Sequence, residues 1–184
     1  MKCFLLLHIL IFTLFLSYAQ IGDVFPVMEV ETLQSKEVML PDFCNGKYTL
    51  LGLAYSKKAE KDLSTWYSPI FKKFLQPKLG KNDGLFASFS YDVNTYFIPM
   101  FTGIAAAAEG KAKKKAIQNV DPKLQAYILF FKGKIKEYKS SLQMIQKDKP
   151  YFFLLDESGK IIHQTTGAYT VNKMKVIEEN IDDF

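Results

Sequence analysis

The chain has 184 residues, of which 48% are hydrophobic and 15% aromatic, and its formal net charge is +5. This composition is typical of a globular chain that is long enough to bury a sizeable core, and it excludes a low-complexity chain. All 24 of its lysine and arginine positions hold lysine. Arginine is the residue that reads phosphates and base edges through paired hydrogen bonds, so we do not expect a dedicated nucleic-acid reader.

The first residues have the pattern of an export signal. Lys2 supplies a short positive end, Phe4 to Leu16 is an almost unbroken apolar run, and Ser17-Tyr18-Ala19 places small residues where signal peptidase cleaves. The run is shorter than the ~20 residues of a comfortable membrane span, although an uncleaved anchor is the alternative. We expect residues 1–19 to be removed and residues 20–184 to form one exported domain, periplasmic or secreted, without a membrane span.

Cleavage changes the cysteine count of the chain. Cys3 leaves with the signal, so Cys44 is the one cysteine of the mature protein and no internal disulfide can form. Cys44 lies in a predicted turn, with no cationic cluster and no second cysteine beside it in sequence. We therefore expect an ordinary, partly exposed thiol there.

Apolar or alternating runs between turn residues predict the strands. In chain order they are Val27–Thr32, Val38–Leu40, Tyr48–Tyr55, Leu85–Tyr91, Ala126–Phe131, Tyr151–Leu155 and Lys160–Gln164. Tyr48–Tyr55 is apolar almost throughout, as expected of a buried central strand. The turn residues Asp156-Glu157-Ser158-Gly159 predict a hairpin between the last two strands.

Helices are predicted between these strands and after the last one. Asp62 or Ser64 can cap a helix that runs to about Leu75, with a kink at Pro69. The other predicted helices are Pro99–Gln118, Ile135–Met144 and Val171–Ile181. Strands that alternate with helices, followed by a hairpin and a last helix, describe an α/β sandwich with a central mixed sheet flanked by helices.

Four segments, in this order along the chain, resemble the thioredoxin-like superfamily in its branch of peroxiredoxins and exported TlpA-like proteins. They are Ile21–Pro26, which matches a "G-D-x-x-P" opening, Val38–Leu51, Pro150–Ile161 and Gly167–Tyr169. The resemblance implies a thioredoxin-like three-layer sandwich. Ser64–Ile70 and Tyr151–Ile162 are also similar to the mitochondrial ATP-synthase assembly factor family, which has this fold without thiol chemistry.

The reactive cysteines of this superfamily follow the central strand, where this chain has Ser56–Ser64 and no cysteine. Two alignments of this segment with the Cys-x-x-Cys motif of the superfamily are possible. Counted from the strand end, Lys57–Glu60 replaces the Cys-x-x-Cys motif, and counted back from Pro69, Lys61–Ser64 replaces it. Because disulfide exchange requires sulfur in both the attacking and the resolving group, we do not expect a self-contained oxidoreductase.

The resemblance also implies a peptide-binding groove. In the superfamily, the proline that matches Pro150 follows a cis bond and faces the motif loop, and the backbone before it pairs with extended peptides. The candidate binding residues are Lys57, Lys58, Lys61, Ser64, Lys149 and Pro150. Their lysines favour an acidic protein or peptide partner, whereas a solvated loop is the alternative interpretation of the same charges.

Three functions stay open on the sequence alone. The first is an exported protein that binds a protein or peptide as an assembly or chaperone-like factor, with no catalytic residue, metal or cofactor. The second is a thiol-disulfide oxidoreductase or peroxiredoxin-related enzyme that uses Cys44 with a partner's thiol. The third is a small-ligand or lipid carrier built on the aromatic segment Tyr96–Phe101. His163 has no companions at metal-ligand spacing, so no metal site is expected.

Overall fold

The computed structural model describes residues 21–75, 92–102 and 109–182. In this part of the chain, one sheet has the strand order β2-β1-β5-β4-β3-β6-β7. The strands are β1 (Met28–Thr32), β2 (Glu37–Leu40), β3 (Thr49–Ala54), β4 (Asn94–Phe101), β5 (Leu129–Lys132), β6 (Tyr151–Leu155) and β7 (Ile161–Thr166). The helices are α1 (Lys57–Ser64), α2 (Tyr67–Ile70) with a π-helical turn at Phe71–Leu75, α3 (Glu109–Asn119), α4 (Pro122–Gln125), α5 (Lys136–Ser141) and α6 (Val171–Asp182).

The central strand β3 explains why the molecule has three layers. It pairs in parallel with β4 and antiparallel with β6, and all of its residues are buried. Leu51 and Leu53 pack into one hydrophobic cluster, while Leu50 and Ala54 pack into a second. Because successive side chains of a strand point to opposite faces, both faces of the sheet are covered, which explains why β3 is apolar apart from Thr49, whose hydroxyl donates to the carbonyl of Lys47. The predicted α/β sandwich with a mixed sheet is confirmed.

The described strands confirm the predicted opening pair, the central strand and the closing hairpin. The predicted strand Leu85–Tyr91 lies outside the described residues, and so does the predicted signal peptide, residues 1–19. The helix predicted from Pro99 is wrong at its start, because Pro99 belongs to β4, which pairs with β3 from Asn94 onward. Among the described helices, none has the length and apolar character needed to cross a membrane.

The aromatic segment around Phe97 is part of the core. Phe97 and Ile98 are fully buried in β4, and the Phe97 ring lies 4.4 Å from the ring of Tyr67, centroid to centroid. Pairing with β3 on one side and β5 on the other makes this segment a strand. The segment fills the interior, so it gives no support to a lipid carrier.

Helix α1 begins earlier than the sequence predicted. Ser56 is its N-cap, with extended backbone (φ −147°, ψ 158°), and its Oγ accepts a hydrogen bond from the amide of Ala59 at 3.1 Å. Asp62 and Ser64, the predicted caps, lie inside the helix. The helix starts directly after β3 because Ser56 offers a hydroxyl there, and Ala59 and Leu63, four residues apart, bury the same face.

Candidate binding groove

A groove of about 300 Å³ lies between the first turns of α1 and the turn that precedes β6. We call it the α1 groove. Its lining residues are Lys58, Asp62, Gln146, Lys147, Asp148 and Lys149. Two walls that are distant in sequence meet here because the central strand β3 pairs with β6, so the segments at these strand ends become neighbours.

Hydrogen bonds hold the two walls of the α1 groove together. The hydroxyl of Ser56, the N-cap of α1, lies 3.2 Å from Oδ1 of Asp148. The hydroxyl of Tyr55 donates to the carbonyl of Met144 at 2.7 Å, and the amide of Gln146 donates to the hydroxyl of Tyr151 at 2.6 Å. The turn before β6 is therefore fixed against the junction of β3 and α1.

Gly167 lies beside the α1 groove, and hydrogen bonds hold its backbone in place. Its φ is +86°, a left-handed conformation that glycine adopts without steric cost. Its amide donates to the carbonyl of Pro150 at 2.9 Å, and its carbonyl accepts from the indole N–H of Trp66 at 3.0 Å. Trp66 is fully buried and packs on Phe152 at a centroid distance of 4.2 Å. The segment after β7 is thereby fastened to the start of β6 and to the residues that follow α1.

The candidate binding residues predicted from the sequence do not all lie in the α1 groove. Lys58 and Lys149 line the α1 groove together, whereas Lys57 and Lys61 are exposed on α1 outside its lining. Ser64 lines a separate surface groove and donates to the carbonyl of Lys61 at 2.7 Å. Neither alignment window faces the groove as a whole, because a helix of 3.6 residues per turn brings residues four apart, such as Lys58 and Asp62, to the same face.

The expectation for Pro150 was wrong in its peptide geometry. In the described residues the cis peptide bond is Leu40–Pro41, and the bond between Lys149 and Pro150 is trans. Trans is the default for X–Pro unless the fold selects cis, and here the amide of Lys149 already donates to the carbonyl of Gln146 at 3.3 Å. That amide is thus used within the turn and is not free to pair with an extended peptide.

Cys44 lies far from the groove and is buried. It ends a short 3-10 turn before β3 and is 4% exposed, which corrects the expectation of a partly exposed thiol. Burial raises the pKa of the Cys44 thiol, against a lowering contribution from a hydrogen bond with Thr49. The six residues of β3 separate this turn from α1 by ~16 Å of strand. The thiolate, which is the reactive form, is disfavoured there.

His163 is half-buried in β7, and burial lowers its pKa below the ordinary value of 6.5. In the described part of the chain, no group of three or more histidine, cysteine or acidic side chains is arranged to hold a metal ion.

The sequence reasoning missed four charged residues near the groove. They are Asp62, Lys147, Asp148 and Lys173. The run of charged residues Lys147–Lys149 directly precedes Pro150, and it could have indicated Lys147 and Asp148. Lys173 gave no such signal, because it approaches the groove only through the turn at Gly167.

No family model matches this chain, and no curated protein matches it at a significant level. Solved structures do match. The C-terminal domain of a Bacteroides thetaiotaomicron protein described as a thiol-disulfide oxidoreductase is 14% identical, with a TM-score of 0.56 over 90% of this chain and 99% of that one. A Chlorobium tepidum protein described as the thiol:disulfide interchange protein DsbE is 19% identical, with a TM-score of 0.53 over 88% and 95%. Arabidopsis thaliana Sco I, solved with copper bound, is 14% identical, with a TM-score of 0.53 over 88% and 100%.

At these identities the similarity establishes the fold. The chain has a thioredoxin-like fold, as its sequence motifs indicated. Its similarity to mitochondrial ATP-synthase assembly factors stays a prediction.

Proposed function

We propose that this protein is an exported thioredoxin-fold protein that binds an acidic segment of another protein in the α1 groove, as an assembly or chaperone-like factor without thiol-disulfide exchange. The main support is the meeting of Lys58, from the first turn of α1, with Lys149, from the turn before β6, in one groove. The fold brings these positive charges together at a surface where the superfamily resemblance implies peptide binding.

The chemistry at the start of α1 supports binding rather than catalysis. The N-cap position holds the Ser56 hydroxyl, which is hydrogen-bonded to Asp148, and no sulfur is present in the groove lining. Cys44 is buried at the other end of β3. Disulfide exchange needs a thiolate that can reach a partner's sulfur, and this burial opposes both requirements.

The charges of the groove favour an acidic partner. Three lysines, Lys58, Lys147 and Lys149, line it together with two aspartates, Asp62 and Asp148. Asp148 is partly satisfied within the protein by Ser56. Complementary charge steers association and selects among partners, so an acidic segment fits this rim better than a neutral or basic one.

A peptide titration tests the binding proposal. A fluorescently labelled peptide with several glutamates is compared with its glutamine counterpart by anisotropy at low salt. The double variant Lys58→Met/Lys149→Met should weaken glutamate-peptide binding about three- to tenfold, since two exposed charge contacts are lost. The control Lys36→Met/Lys123→Met removes two exposed lysines elsewhere and should bind like the wild type. Equal binding of both peptides would contradict the proposal.

Redox assays test the proposal that the protein does not catalyse thiol-disulfide exchange. Insulin reduction and peroxide consumption are measured for the wild type and for Cys44→Ser, and neither should exceed the buffer control. Thiol-dependent turnover that disappears in Cys44→Ser would replace this proposal with the second candidate, an enzyme that uses Cys44 with a partner's thiol.

Export is tested separately. The apolar run Phe4–Leu16 and the small residues that follow it support cleavage after Ala19. N-terminal sequencing of the protein recovered from the cell envelope or the medium should begin at Gln20. An intact N-terminus on an envelope-bound chain would instead indicate an uncleaved anchor.

A further inference from the structure

We propose that Lys149 and Lys173 form a carboxylate-binding subsite above Gly167, at the edge of the α1 groove, which takes an acidic side chain of the bound segment. This inference rests on the proposed function and names the chemistry of its ligand.

The geometry above Gly167 brings two lysines from different elements together. A Cβ placed on Gly167 would lie 3.4 Å from Nζ of Lys173 and 3.9 Å from Cδ of Lys149. Lys149 comes from the turn before β6 and Lys173 from the first turn of α6. The absence of a side chain at position 167 therefore leaves room for both lysines to lie over the same backbone.

The subsite is preorganised by hydrogen bonds that a ligand need not disturb. Both backbone polar groups of Gly167 are satisfied, by Pro150 and by Trp66. Nζ of Lys173 donates to the carbonyl of Ala168 at 2.8 Å, which fixes its position. An ammonium group carries three donors, so two remain to meet a carboxylate. Groups held in place before binding lose less entropy when the ligand arrives.

The electrostatics of the pair favour an added anion. Partial burial and then the nearby charge of Lys149 lower the pKa of Lys173, and Asp62 opposes them. Within the described residues, no carboxylate lies at ion-pair distance from either ammonium group. Two like charges that approach each other repel, and a carboxylate between them would turn that repulsion into attraction.

The test uses the glutamate and glutamine peptides with variants of α6. Lys173→Met should weaken binding of the glutamate peptide about five- to tenfold, as expected for one charge-assisted hydrogen bond. Lys175→Met is the matched control, because Lys175 lies on the same helix and pairs with Glu179 at 3.5 Å. It should bind like the wild type, and Lys173→Arg should retain most of the affinity. The glutamine peptide should not respond to Lys173→Met.

The outcomes separate the subsite from the wider proposal. If the glutamate peptide binds and Lys58→Met alone weakens its binding while Lys173→Met does not, the subsite is wrong and the binding function stands. If the wild type does not bind the glutamate peptide, both are wrong. Inorganic phosphate that displaces the peptide at low millimolar concentration would show a simple ion site and overturn the subsite.

A second measurement guards against a folding defect, because Lys173→Met also removes the hydrogen bond to Ala168. The amide resonances of Gly167 and Ala168 in the wild-type protein are followed by NMR during titration. They should shift with the glutamate peptide and stay unchanged with the glutamine peptide. Unchanged resonances with a bound glutamate peptide would overturn the subsite without any variant.

Discussion

Trp66→Phe should lower the free energy of unfolding by about 2–4 kcal/mol. Phenylalanine keeps an aromatic ring against Phe152 but removes the indole N–H that donates to the carbonyl of Gly167 at 3.0 Å. A buried acceptor left without its donor costs about 1–3 kcal/mol. The smaller ring adds a packing loss of about 1 kcal/mol, because Trp66 is fully buried. The loss is large against the roughly 5–15 kcal/mol that stabilise an ordinary domain.

Urea unfolding measures this effect. Trp66 is the single tryptophan of the chain, so its fluorescence disappears in the variant and far-UV circular dichroism must follow the transition. The control is Tyr138→Phe, which removes an exposed hydrogen bond of 2.9 Å to the carbonyl of Val27 and should cost less than about 1 kcal/mol. If Trp66→Phe costs no more than Tyr138→Phe, the hydrogen bond from the indole to Gly167 does not stabilise the fold, and the reasoning fails.

Three further predictions concern the start of α1, the cysteine and the histidine. Ser56→Ala should lower the free energy of unfolding by about 1 kcal/mol in urea titrations, since the N-cap of α1 is lost; no change would mean that the cap is not needed. Cys44 should react with a thiol reagent at pH 7 about 100-fold more slowly in the native protein than in urea, because it is buried and its pKa is raised; equal rates would show an accessible thiol. Since the pKa of His163 is lowered on folding, the unfolded chain binds more protons below its ordinary value of 6.5, so stability should fall as the pH drops from 7 to about 5. His163→Asn should flatten that slope, and an unchanged slope would assign it to other groups.

The sequence predicted the sheet better than the helix starts. Tyr48–Tyr55 and Tyr151–Leu155 are apolar almost throughout because they lie in the middle of a sheet that is covered on both faces, and that pattern is visible in the sequence. The start of α1 was missed because Asp62 and Ser64 are also good caps. Only the end of β3 at Ala54, two residues before Ser56, decides which of these polar residues takes the capping geometry.

The candidate site was predictable only where a motif marked it. Lys58 and Lys149 flank segments that resemble the superfamily, so the sequence could name them. The trans bond before Pro150 is the default for X–Pro, and the cis expectation came from the superfamily resemblance, which does not carry over to this chain at that bond. The position of Lys173 beside the groove could not be predicted from the sequence either. Its approach to Lys149 requires the hairpin of β6 and β7 and the left-handed backbone of Gly167.

The lysines at the groove are not explained by the stability of the fold. Lys57 and Lys58 occupy the first turn of α1, where the helix dipole disfavours positive charge by about 0.3–1 kcal/mol each. Lys149 and Lys173 repel each other beside Gly167, and partial burial disfavours the charge of Lys173 further. Ser56, Trp66 and the buried face of α1 hold the groove in place, and Lys173 adds one hydrogen bond, to the carbonyl of Ala168. The lysine charges are unfavourable for the free protein, and a bound anion would offset that cost. We therefore assign the groove to an acidic partner.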